Sequence, residues 1–248
     1  MSDLEQYFSR NTGRQIHKWM HYFEIYERHF SRFRGTRVHL VEFGVDQGGS
    51  LQMWKHYFGP DCRIFGVDIN PQCRQAEEER IEILIGDQGD RQFLRSLKTR
   101  IPQIDILIDD GGHTMKQQIA TYEELFPHVD ANGVYVCEDL HTSYWPDWGG
   151  GLQKRGTFVE YSKRFIDELH GWHFRRRGRA AITALTRTAH SLHYYDSVLV
   201  IEKRPIEQPR RQQTGTAAIP QWSPPESAVK RFRKEMKRKA KRWLGRST

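Results

Sequence analysis

Cysteine is scarce in this chain: Cys62, Cys73 and Cys137 are the only three in 248 residues. Their number is odd and their spacing fits no metal motif, so neither a disulfide framework nor a thiolate centre is expected, and a reduced, cytoplasmic chain is the simplest reading. No apolar run approaches the roughly 18 residues a membrane span requires. The opening MSDLEQYFSRN lacks the basic-then-apolar order of a secretion signal. There is no GxGxxG, which a nicotinamide dehydrogenase normally shows, and no GKS or GKT, which argues against a P-loop. No internal repeat is visible.

A net charge is also missing from most of the chain. The total is +8, but residues 205–248 hold 12 Lys+Arg against 3 Asp+Glu, leaving 27 basic and 28 acidic residues elsewhere. The body is thus nearly neutral and the tail is basic, so the high isoelectric point says nothing about what the body binds.

The body reads as strands that end in glycine or acid. Val38 to Gly44 is a first strand that runs into VDQGGS and then a helix, LQMWKHYF. Such a turn brings backbone N–H groups to a nucleotide-like ligand. Gly44 allows the sharp bend, Gly48 and Gly49 the close approach, and Ser50 is placed to cap the helix. A second strand, Arg63 to Asn70, contains Asp68, a tip carboxylate suited to the two hydroxyls of a ribose. A third, IEILIGD, brings Asp87 and Gln88 to the same edge, where they would read an adenine.

The chemistry gathers in ILIDDGGHTMKQQ, Ile106 to Gln118. A buried strand ends in Asp109 and Asp110, two glycines follow, then His113 and a helix start. A fifth strand, GVYVCED, ends the same way in Glu138 and Asp139. In an open α/β sheet, ligands sit beyond the carboxyl ends of the strands. Four carboxylates on two neighbouring tips are costly unless protons or a cation neutralise them, which points to a divalent metal beside a histidine base.

Around this centre, Ile16 to Phe33 has the apolar spacing of an amphipathic helix, with Lys18, Trp19 and Tyr22 able to line an entrance. Leu140 to Gly151 mixes Tyr144, Trp145 and Trp148 with Gly and Pro, as in a lid or substrate loop. Phe158 to His170 reads as a helix, and SLHYYDSVLVIEK, Ser191 to Lys203, as a late antiparallel hairpin. The expected fold is a doubly wound, mostly parallel seven-stranded α/β sheet, with the main domain at 35–204 behind an N-terminal helical segment at 1–34.

VEFGVDQGGS followed by Asp68 and Asp87 resembles the S-adenosylmethionine site of class I methyltransferases. IDDGGHTMKQQ with GVYVCEDLHTSYW narrows the likeness to metal-dependent sugar O-methyltransferases of macrolide biosynthesis, the mycinamicin group. It is also similar to mycobacterial polysaccharide sugar methyltransferases and to cephalosporin hydroxylase-like proteins. The resemblance spans roughly Gly13 to Lys203 and leaves the tail uncovered. It implies Asp110, Glu138 and Asp139 as ligands of Mg2+ and His113 as general base. It implies a cofactor site made of Glu42, Gly44, Gly48, Ser50, Asp68, Asp87 and Gln88, with Asp109 near the methionine end. It further implies a sugar-containing acceptor and a homo-oligomer. A module of the same fold that binds cofactor without methyl transfer is the alternative, and response of any transfer to a chelator separates the two.

Residues 205–228, rich in Pro, Gln and Thr, read as a disordered linker. Residues 229–248 place Val229, Phe232, Met236, Ala240, Trp243 and Leu244 on one helical face amid Lys and Arg. That pattern suits an anionic membrane surface, which would put the chain at the inner membrane face; nucleic acid is not the expected partner.

Overall fold

The computed structural model describes residues 1–174, 182–220, 222, 227, 232 and 234–236. The chain divides into Met1–Pro209 and Arg210–Thr248. The first unit is built on seven strands: β1 (His39–Phe43), β2 (Arg63–Asp68), β3 (Ile81–Ile85), β4 (Ile104–Asp109), β5 (Val129–Cys137), β6 (Ala189–Tyr195) and β7 (Val198–Lys203). Their order across the sheet is β3-β2-β1-β4-β5-β7-β6. The first five pair in parallel, while β7 runs antiparallel to both β5 and β6. This is the seven-stranded class I methyltransferase topology expected from sequence.

β4 is buried along its whole length because helices cover both faces of the sheet, which is why it reads as an unbroken apolar run. On one face, Leu4 of α1 (Asp3–Ser9), Phe23, Tyr26 and Phe30 of α2 (Tyr22–Phe30), and Trp54 and Phe58 of α3 (Gly49–Phe58) form a core with Leu40, Ile106 and Val200. On the other, Leu94 and Leu97 of α4 (Arg91–Arg100) and Tyr122 and Leu125 of α5 (Met115–Leu125) pack with Phe43, Leu107 and Tyr135. Phe158 and Phe165, from α6 (Phe158–Ser162) and α7 (Arg164–Leu169), complete that layer with Leu185 of α8 (Ala184–Thr188). α5 starts sharply after the DDGGH segment because Thr114 and Gln117 form a reciprocal capping box.

Three local expectations change. The helix expected over Ile16 to Phe33 is confined to Tyr22–Phe30, followed by a 3-10 turn at Ser31–Phe33. Residues 14–18 form an irregular strap whose backbone lies on the glycine turn: a Cβ on Gly49 would come within 2.2 Å of the Gln15 carbonyl oxygen. Arg14 anchors the strap by donating to the Ala76 carbonyl at 2.9 Å, and these tertiary contacts override the helical periodicity. The helix expected over Phe158 to His170 is split at Lys163, where the Ser162 hydroxyl donates back to the Val159 carbonyl (3.0 Å). Ser50 does not cap α3; Gly48, in a left-handed conformation, is the N-cap.

In the second unit, no helix or strand occurs at 210–220, and 232 and 234–236 are helical. The rest of the basic amphipathic pattern over 229–248, like the stretch 175–181, lies outside the described residues. No helix among the described residues is long and apolar enough to cross a membrane.

Candidate active site

The strand order reverses between β1 and β4, and a cavity of about 520 Å3 opens at their carboxyl ends. Backbone hydrogen bonds stitch the tips side by side. Gly44 N donates to Val67 O at 2.9 Å, Asp110 N to Phe43 O at 3.2 Å and Glu138 N to Asp109 O at 2.9 Å. Gly44 has φ +89°, and a Cβ there would sit 2.1 Å from the Asp110 carbonyl oxygen. Only glycine lets the turn after β1 rest against the turn after β4, so this one residue joins the two halves of the cavity.

On the glycine-turn side, Asp68 is held by backbone amides: its Oδ2 accepts from Val45 N (2.9 Å) and Asp46 N (3.4 Å), and its Oδ1 from Asn70 N (2.8 Å). It lines the cavity together with Gly44, Ser50 and Gln88. Ser50 donates to Glu42 Oε2 (2.7 Å), and the other oxygen of fully buried Glu42 has no hydrogen-bond partner. Asp87 accepts from Gly89 N at 2.7 Å. Gln88 turns its amide into the floor. Its Nε2 donates to Asp109 Oδ1 (2.6 Å) and Thr121 Oγ1 (2.9 Å), and its Oε1 accepts from Gly112 N (2.9 Å). Gln88 therefore braces the DDGG segment from beneath. Burial pushes the Asp109 carboxyl up to about 7. Glu42, Gly48, Asp87 and Asp109 stand behind the cavity wall rather than in it.

On the acidic side, Asp110, His113 and Asp139 converge, with one donor atom of each within 4.8 Å of the others. His113 Nε2 is 3.6 Å from Asp139 Oδ2 and 3.9 Å from Asp110 Oδ1. Its Nδ1 is buried without a partner, and Trp148 lies edge-on to its ring at 5.9 Å. Both His113 and Asp139 have φ +52°, a conformation that costs non-glycine residues about 1–2 kcal/mol. That strain swings the two side chains toward each other, and a bond from the Thr142 hydroxyl to the His113 carbonyl (3.0 Å) helps hold it.

Glu138 stands outside this trio. It is fully buried, and accepts from the Tyr26 hydroxyl (2.7 Å) and from Lys18 Nζ (2.9 Å). Lys18 comes from the strap and also bonds Asp110, while Glu42 Oε1 lies 3.6 Å away. Tyr22 donates to Asp139 Oδ1 at 2.7 Å. One ammonium thus faces three carboxylates with almost no water. Burial alone would lower the Lys18 pKa, but Asp110 and Glu138 outweigh it and keep the lysine charged. Burial, reinforced by the charge of Asp110, lifts Glu138 to about 8, and burial raises Glu42 as well. The cluster carries more acid than its lysine neutralises, so it favours a proton or a small hard cation. Asp110 and Asp139 offer the ion cavity-facing carboxylates, and His113 Nε2 stands beside them.

Lys18 and Tyr26 are the residues that sequence reasoning missed as parts of this centre. Lys18 reads from sequence only as an entrance residue, and Tyr26 only as part of the span Ile16 to Phe33. For Tyr26 the signal was its four-residue spacing with Tyr22 in one helix, which puts two hydroxyls on one face; Lys18 lies in the irregular strap, where spacing gives no signal.

A family described as a methyltransferase domain matches residues 41–140. The 8-demethyl-8-alpha-L-rhamnosyl tetracenomycin-C 2'-O-methyltransferase of Streptomyces olivaceus is 39% identical over 191 residues, covering 74% of this chain and 50% of that protein. The mycinamicin VI 2''-O-methyltransferase of Micromonospora griseorubida is 34% identical over 236 residues, covering 90% and 55%. A solved structure of MycE methyltransferase from the mycinamycin biosynthetic pathway, in complex with Mg and SAH, matches with a TM-score of 0.76. Its identity is 31%, over 94% of this chain and 60% of that one. The chain spans about half the length of the curated relatives it matches.

Proposed function

The chain belongs to the class I S-adenosylmethionine-dependent methyltransferases and is related to their sugar O-methyltransferases; from that premise we propose that it methylates a sugar hydroxyl. The acceptor is part of a polysaccharide, glycolipid or glycosylated natural product, and S-adenosylmethionine and Mg2+ are the cofactors. The observation that supports this most directly is the convergence of Asp110, His113 and Asp139 on a cavity whose opposite wall is the Gly44 to Ser50 turn.

In this reading Glu42, Gly44, Gly48, Ser50, Asp68 and Asp87 shape the cofactor half, with Gln88 and Asp109 bracing it from the floor. Asp110 and Asp139, with Glu138 behind them, would hold the magnesium ion, which when bound lowers the pKa of a coordinated sugar hydroxyl. His113 takes the hydroxyl proton on Nε2 as the acceptor oxygen forms its bond to the methyl carbon and the methyl–sulfur bond breaks, the electron pair staying on the sulfur of the departing S-adenosylhomocysteine. Asp139 and Asp110 stabilise the imidazolium that results. The Gly44 turn, resting on Asp110, keeps cofactor and acceptor in register, which supplies much of the acceleration. Trp148 beside His113, and Trp19 and Trp145 on either side of His141, offer aromatic faces to a sugar ring at the mouth.

Two finer points rest on sequence. The working protein is a homo-oligomer in the cytoplasm, and the basic segment 229–248 binds an anionic membrane surface. Co-sedimentation with anionic vesicles of the full chain against one ending at Lys203 tests the last point; equal binding removes it.

Methyl transfer from labelled S-adenosylmethionine to glycan acceptors, with and without EDTA, tests the activity. Titration calorimetry on the variants assigns the roles. His113→Ala is expected to retain cofactor binding and lose turnover, and Asp110→Ala to lose magnesium binding. Transfer that is indifferent to EDTA, or full turnover in His113→Ala, would refute the reading.

A further inference from the structure

A second cluster lies away from the cavity, where the C-terminal end of α2 packs on the β6–β7 hairpin. His29, His193 and Glu202 each place one donor atom within 4.8 Å of the others. His29 is buried, whereas the Glu202 side chain is 21% exposed, so the cluster is walled on one side and reachable from the other. His29 Nδ1 is 2.7 Å from Glu202 Oε1, and the two imidazoles lie 4.7 Å apart, centroid to centroid. The catalytic reading uses none of these three residues.

We propose that His29, His193 and Glu202 form a binding site for a borderline divalent cation such as Zn2+, which clamps α2 to the β6–β7 hairpin.

Two imidazoles and one carboxylate are a recurrent zinc donor set that leaves a fourth position for water. One nitrogen of each ring is already held by a hydroxyl: His29 Nε2 lies 2.9 Å from the Tyr195 oxygen, and His193 Nε2 lies 2.9 Å from Ser191 Oγ. Such outer contacts fix the orientation of both rings, and His29 Nδ1 faces Glu202. The 2.7 Å contact with the Glu202 carboxylate puts the proton of neutral His29 on Nδ1, with Nε2 accepting from the Tyr195 hydroxyl; an ion on Nδ1 takes that proton's place, and the ring proton moves to Nε2, which then donates to Tyr195. Burial holds both imidazoles below their ordinary pKa and hence unprotonated at neutral pH. Arg28 and Arg32 lie close enough to oppose added positive charge. That disfavours a hard ion held by charge alone and favours one held through nitrogen. The clamp bears on the main cavity because α2 also carries Tyr22 and Tyr26, which bond Asp139 and Glu138.

The test uses the full chain, stripped with chelator and titrated with CoCl2 in excess MgCl2, reading the visible absorption of low-coordinate Co2+. Wild type and His113→Ala should both show the band and lose it on addition of ZnCl2. His193→Ala should bind Co2+ at least about tenfold more weakly. Glu202→Gln, nearly isosteric and partly exposed, should behave likewise and covers the case in which His193→Ala fails to fold. The proposal is overturned if wild type shows no band. It is equally overturned if the band survives Glu202→Gln but disappears in His113→Ala, because the ion then sits among the cavity acids. The readout does not depend on methyl transfer, so it stands or falls separately from the activity.

Discussion

Replacing Lys18 with methionine should destabilise the folded chain by about 3–5 kcal/mol at slightly alkaline pH, the usual cost of removing one partner from a buried ionic cluster. Methionine keeps most of the apolar stem, so the change isolates the charge. The Lys18 side chain is only 4% exposed, and Glu42 and Glu138 are fully buried, so water cannot replace the ammonium. For a body of about 200 residues, each kcal/mol moves Tm by roughly 2–4 °C, giving an expected fall of about 6–20 °C.

The loss should shrink as pH falls. Glu138 and Glu42 are already raised above their ordinary pKa, Glu138 to about 8. Without Lys18 both rise further. A carboxyl whose folded pKa exceeds its unfolded value binds more protons when folded. Its contribution is fully present below the unfolded value of 4.5 and is lost as pH climbs through the folded one. Urea denaturation of wild type and Lys18→Met near pH 5 and near pH 8 measures this, and adding MgCl2 should stabilise the variant more than wild type. A variant within about 1 kcal/mol of wild type at the higher pH, or a difference that does not vary with pH, would refute the account of Lys18 as the counter-ion.

Gly44→Ala should cost more than about 2 kcal/mol in urea denaturation and abolish cofactor binding in calorimetry, because φ +89° is strained for alanine and its Cβ would collide with the Asp110 carbonyl. Tyr26→Phe should lower stability by about 1–3 kcal/mol by leaving a buried Glu138 oxygen without its donor, measured by thermal melts; an unchanged Tm would show that Lys18 alone suffices. Glu124 bonds Arg95 twice and Arg91 once, and Arg95 is the largest cause of its carboxyl being held down at about 2. A depressed carboxyl gives stability above its unfolded value of 4.5, lost as pH falls toward 2, so the advantage of wild type over Glu124→Gln should disappear across that window in acid denaturation.

The strands were legible because central parallel strands, covered on both faces, leave continuous apolar runs such as Ile106 to Ile108. Their tips were legible because Asp109, Asp110, Glu138 and Asp139 end those runs abruptly. What each tip side chain does was less legible. Gln88 looked free to meet a ligand, yet its amide is spent on Asp109, Thr121 and Gly112. A strand-end side chain can turn inward or outward without disturbing the apolar pattern, so the pattern does not record the choice. The strap was hidden for a related reason. Ile16, Trp19 and Met20 continue the spacing of α2, but the backbone there is fixed by Gly49 and by the Arg14 bond to Ala76, neither of which periodicity can encode. Lys18 then meets Asp110 and Glu138 across 92 and 120 residues of sequence.

Charge explains why such a lysine fits a site proposed to hold a cation as well. Glu42, Asp110, Glu138 and Asp139 carry four negative charges when ionised, and Lys18 removes one. The remaining three match a divalent ion and a sulfonium together, while either one alone leaves an excess. Without both, burial and mutual repulsion favour the protonated acids, the direction in which Glu138 and Glu42 are shifted. With both, four ionised acids would be balanced before reaction begins. In the proposed reaction, methyl transfer would remove the positive charge at sulfur, and His113, 3.6 Å from Asp139, would gain one. The positive charge moves across the cavity without leaving the field of the acids. A site with Lys18 replaced by a neutral residue would hold one negative charge too many at every stage. It would have to retain a proton on Glu138 or Glu42 even when loaded, so the penalty of that substitution extends from folding to catalysis.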